Sequence, residues 1–115
     1  AARERAGDDE GMMAALERVL WVWPYDPGVH VKLADAAARS GDMARALRER
    51  RVVLALGPSD PLAARLDLAR AMLGVGDRTG ARREVLAVLE QAPTFERAQA
   101  LLLELRRTAP PEDRE

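Results

Sequence analysis

One histidine, His30, and no cysteine occur in a chain of 115 residues. That pair of counts excludes disulfides, thiolate metal sites, thiol catalysis and any zinc site built on two histidines. No serine-histidine-aspartate or histidine-glutamate arrangement can be assembled around His30, which reads as a helix-surface residue. The acid run Asp8, Asp9 and Glu10 reads as the charged start of a helix, where carboxylates complement the macrodipole, rather than as a metal site. The glycine-rich stretch from Gly74 to Arg82 lacks the lysine and spacing of a phosphate-binding loop and has no strand before it. The residues call for no catalysis, no metal and no cofactor.

Charge gives the next restriction. Eighteen Lys and Arg stand against 19 Asp and Glu, a net charge of −1, so no global field draws a polyanion. Arg45, Arg48, Arg50 and Arg51, echoed by Arg78, Arg82 and Arg83, could line an anion or nucleic-acid surface. Glu49 and Glu84 interrupt both runs, and aromatics for stacking on bases make up only 3% of the chain. These arginines therefore read as a solvated outer face with local ion pairs, and nucleic acid is not an expected partner. Apolar runs such as Val19 to Trp23 fall well short of the roughly 18 to 20 residues a membrane helix needs. No membrane partner is expected, and localisation stays open.

The elements that must carry these residues follow from an internal repeat. Sliding the sequence by 35 residues brings Leu33-Ala34 onto Leu68-Ala69, Gly41-Asp42 onto Gly76-Asp77, Ala46 onto Ala81 and Pro58 onto Pro93. Residues 28–60 and 63–95 share 11 identities in 33 positions, against roughly 3 or 4 expected from so Ala/Leu/Arg-rich a composition. Asp26-Pro27 and Asp60-Pro61 each set an N-cap acceptor before a proline, which starts a helix. Val31, Leu33, Ala34 and Ala37 in one copy, and Leu66, Leu68, Ala69 and Met72 in the other, then recur on one helical face. Gly41 and Gly76 end these helices in the left-handed conformation, and the Asp after each caps a second helix. The second helices, about 43–56 and 78–92, stop at Gly57-Pro58 and Ala92-Pro93. So short a turn forces an antiparallel hairpin.

The chain ends fit the same scheme. Gly7-Asp8 followed by Met12, Ala15, Leu16, Val19 and Leu20 reads as the second helix of a leading unit, with Ala1 to Ala6 the tail of its first. Trp21 reads as repeat core, although the incomplete unit could leave some of Trp21, Trp23, Met12 and Met13 exposed. Thr94 reads as the cap of a last helix, about 95–107, covering the end of the stack, and 108–115 as a disordered tail. The expected organisation is one all-α domain: a partial unit 1–26, full units 27–60 and 61–94, and a capping helix.

A period near 34 to 35, two helices per unit, Leu33-Ala34 and Leu68-Ala69, Ala46 and Ala81, and a proline closing each second helix resemble the tetratricopeptide repeat. His30 and Arg65 stand where that family has Trp, and Ala37 and Met72 where it has Tyr. The resemblance implies an α-α superhelix with a concave face formed by the first helices, which bind an extended or helical peptide. Carried over by register, that face holds Val31, Lys32, Asp35, Ala38 and Arg39, then Leu66, Asp67, Arg70 and Leu73, then Arg97, Ala100 and Glu104. The carboxylate clamp of some family members is absent, since Asp35 and Asp67 would repel a carboxylate. The expected function is a protein- or peptide-binding scaffold. Two other readings stay open: an accessory domain of a larger bacterial enzyme such as a peptidase, and a module that self-associates through its terminal helices.

Overall fold

Each Asp-Pro pair starts a helix by a local hydrogen bond. In the computed structural model, which describes residues 2–110 with side chains from Gly7 onward, the Asp26 carboxylate accepts from the Gly28 and Val29 amides at 2.8 and 3.3 Å. Asp60 accepts from the Ala63 amide at 3.1 Å. These bonds satisfy amides that a helix start leaves without partners, and the proline between has no amide to satisfy. The helices α2 (Pro27–Ser40) and α4 (Pro61–Gly74) begin there.

Their ends are built alike. Gly41 and Gly76 adopt φ of 88° and 85°, a region closed to most side chains. The chain thereby folds back so that the Asp42 and Asp77 amides reach the Ala37 and Met72 carbonyls, each at 2.8 Å. The same two aspartates cap α3 (Met43–Ala55) and α5 (Arg78–Gln91), accepting from the Arg45 and Gly80 amides at 3.1 and 2.9 Å. The backbone bonds and aspartate caps of this turn recur 35 residues on, so the sequence repeat is also a repeat of hydrogen bonds.

With α1 (Ala2–Leu20) before and α6 (Glu96–Arg107) after, the described residues form six helices and no strand, each helix packed on the next in chain order. The fold is all-α, a stack of helical hairpins measuring 47 × 33 × 19 Å. Leu33 and Leu68, one period apart, are both buried, as are Val53 and Val88. The core divides in two. Met13, Val29, Leu33, Ala36, Ala37 and Ala46 close the space among α1, α2 and α3. A larger cluster runs from Leu47 through Leu66, Leu68, Val85 and Val88 to Leu101 and Leu105 on α6.

Three expectations are corrected at the ends. Gly7-Asp8 does not break the chain: α1 continues through it from Ala2 to Leu20, because a mid-helix glycine costs only about 1 kcal/mol against alanine. The acid run is consequently mid-helix, with Asp9 buried and bonded to the Arg39 guanidinium at 3.0 Å. Thr94 does not cap α6. Phe95 takes that position without a side-chain bond, and the Gln99 amide ties the entry by donating to the Pro93 carbonyl at 2.8 Å. At the far end Arg78 donates to the Leu105 carbonyl at 2.5 Å, placing a cation where α6 leaves its last carbonyls open. Of the expected tail, 111–115 lie outside the described residues, while the Thr108 hydroxyl bonds back to the Glu104 carbonyl at 2.8 Å.

Candidate functional site

The residues assigned to the first-helix face sort by how the helices turn them. Lys32, Ala38 and Arg39 on α2, Arg70 on α4, and Arg97 and Ala100 on α6 are exposed. Val31, Asp35, Asp67, Leu73 and Glu104 are half-buried. Leu66 is not on the surface at all. It has no exposure and belongs to the core shared with Val85, Val88, Ala98 and Leu101, so α5 and α6 close over the position that its counterpart Val31 leaves half open.

Ion pairs stitch this face together across helices. Arg97 and Arg70 on either side meet Asp67 and Glu104, so that α4 and α6 are joined twice, the Arg70 to Glu104 contact being 2.9 Å. Arg39 meets Asp9 of α1, and Asp35 accepts from Arg50 of α3 at 2.5 Å. The Glu104 carboxyl is held below its ordinary pKa by the hydrogen bond and charge of Arg70. Between α2, α3 and α4 the face dips into a cleft of about 170 Å³ lined by Val31, Arg50, Val53, Pro58 and Asp67 among others. The arginine clusters of the second helices divide their work. Arg48, Arg51, Arg82 and Arg83 are exposed, as expected of an outer face, but Arg45 pairs with Glu17 of α1 and Glu49 turns inward.

Glu49 turns inward to meet His30, and this corrects both expectations for the histidine: it is buried, at 8% exposure, not on the helix surface, and it does assemble with a glutamate. Its Nδ1 lies 2.6 Å from the Glu49 carboxylate and its Nε2 donates to the Pro24 carbonyl at 2.9 Å. Burial alone would lower the imidazole pKa, but the Pro24 carbonyl and the Glu49 carboxylate more than offset that and raise it above its ordinary value. The signal was present in the repeat, because His30 and Glu49 return 35 residues later as Arg65 and Glu84, which pair at 3.9 Å. A cation and an acid kept at one register in both copies mark a contact between first and second helices.

Trp21 is likewise corrected from core to surface. The helix α1 stops at Leu20, and Trp21, Val22, Trp23 and Tyr25 stand on the connection to α2, each more than 60% exposed. Met13 does enter the core, whereas Met12 is partly exposed. Among the described residues no group of three or more His, Asp or Glu side chains is placed to hold a metal ion, and no helix is long and apolar enough to cross a membrane. No protein-family model matches this sequence, and no curated protein matches it either.

Proposed function

We propose that the chain is a protein- or peptide-binding module of the tetratricopeptide kind, working through the face shared by α2, α4 and α6. The observation that carries this reading is the exposure of Lys32, Arg39, Arg70 and Arg97 in first-helix positions of three successive units, with α4 and α6 locked in register by paired charges. A face fixed in this way presents a preorganised row of mixed charge beside the Val31 cleft, which suits a polar segment with an occasional apolar side chain.

A peptide-display library selected on the chain tests it. Titration of the selected peptides against the variant K32E/R39E/R70E should show an affinity loss of about tenfold or more, the size expected when central charged contacts are lost. Arg39 and Arg70 also pair with Asp9 and Glu104, so the affinities are compared at a temperature where circular dichroism shows the variant folded. Equal affinity for the two proteins, or selection of no peptide, defeats the reading.

A further inference from the structure

Two tryptophans and the single tyrosine, three of the four aromatic residues of the chain, sit within five positions on the connection between α1 and α2. Their exposures are 88% for Trp21, 64% for Trp23 and 78% for Tyr25. The connection is tied to α1 by the Val22 and Trp23 amides, which donate to the Val19 carbonyl at 3.0 and 2.9 Å. Two side chains tie it to the body of the stack: Asp26, which caps α2, and His30, which donates to the Pro24 carbonyl.

We propose that His30 is a proton-operated latch on this aromatic loop, closed while both ring nitrogens carry hydrogen and opened when one proton leaves. Both neighbours of the ring are acceptors: a carboxylate at 2.6 Å and a backbone carbonyl at 2.9 Å. Satisfying both requires one proton shared by the His30 and Glu49 pair beyond the neutral ring and the carboxylate anion. Once it is lost, the single N–H that remains stays on the Glu49 side, because a bond to a charged acceptor is the stronger. Nε2 then turns a lone pair toward the Pro24 oxygen, and the loop loses this tether at its middle while the Val19 bonds and the Asp26 cap hold its ends.

Other charges around the ring leave this order intact. Asp26, at the end of the loop, favours the charged ring together with Glu49 of α3. On α1, Glu17 lies with Leu20, Trp21 and Pro24 around an open cleft and is already met by Arg45 of α3. The second unit supplies an internal contrast, since Arg65 takes the place of His30 against Glu84 and a guanidinium keeps its proton throughout the accessible range. The latch is thus a property of the first unit, independent of what the first-helix face binds.

The two indole N–H resonances, from Trp21 and Trp23, report the loop directly. Titrating the whole chain from pH 5.5 to 9 by heteronuclear NMR should move both resonances with one common midpoint while the helical dichroism stays constant. In Glu49→Gln, which removes the carboxylate, the midpoint should fall by about 1 pH unit or more. In His30→Gln the titration should vanish. Indole resonances that do not titrate in the wild type, or that titrate unchanged in His30→Gln, overturn the proposal. So does a Glu49→Gln midpoint that stays in place, or a transition that coincides with loss of helix. Should His30→Gln fail to fold, the shift in Glu49→Gln decides alone.

Discussion

Within one repeat register the chain makes the same cross-helix contact in two ways, and the difference should be measurable residue by residue. His30 and Glu49 have side chains about one-tenth exposed and a bond of 2.6 Å, whereas Arg65 and Glu84 are 36% and 22% exposed and meet at 3.9 Å. Removing one member of a buried pair strands the other, so Glu49→Ala should cost about 2 to 3 kcal/mol. Arg65→Ala, losing a loose and partly solvated pair, should cost no more than about 1 kcal/mol. The two also differ in pH response. A histidine whose folded pKa is raised stabilises the fold fully below its unfolded value of about 6.5, and that contribution is lost as pH rises through the folded value. Urea unfolding at pH 6 and pH 8.5 should therefore show the Glu49→Ala penalty shrinking at the higher pH and the Arg65→Ala penalty unchanged. Equal penalties at both pH values would contradict the pairing.

At the scale of the element, the turns are set by backbone geometry that few residues can adopt. Gly76 has φ of 85° and nothing within 4 Å of where a Cβ would stand, so Gly76→Ala meets no clash and isolates the backbone cost, about 1 kcal/mol. Gly41→Ala should cost the same within error, because its turn makes the same bonds; thermal unfolding of the two variants checks both the size and the equality. These turns and their aspartate caps were legible in the sequence since each is a local rule acting over four or five residues. The face each helix turns to its neighbours was less so. Leu66 and Val31 share a register, yet only Leu66 is sealed, because burial there depends on how α5 and α6 lie over it. Trp21 and His30 exchanged their expected places for a related reason. One stands a single residue beyond the end of α1, and the other is drawn inward by an acid 19 positions away. The Gly7-Asp8 pair looks like the turn signals at 41 and 76, but here the helix runs on and Asp9 finds Arg39 instead.

For the whole molecule, the closest packing joins helices adjacent in the chain, with ion pairs adding α1 to α3 and α4 to α6, so stability should be graded along the stack rather than shared evenly. The larger cluster gathers eleven buried residues across α3 to α6, including Leu66, Val85 and Val88 without exposure. The cluster beneath α1 and α2 has six, three of them alanines, which bury little apolar area each. In addition α1 carries Gly7 and Gly11 within its span and covers the stack from one side only. Opening should therefore begin at α1, proceed through α2, and reach α4 and α5 last. Native-state hydrogen exchange should rank amide protection in that order, with α1 exchanging through a partial opening well below the global free energy. Val88→Ala should lower protection throughout the stack, and Met13→Ala only in α1 and α2. Uniform protection of all helices, or a Met13→Ala effect that reaches α5 undiminished, would mean the two clusters behave as one core and the hairpins do not act as separable units.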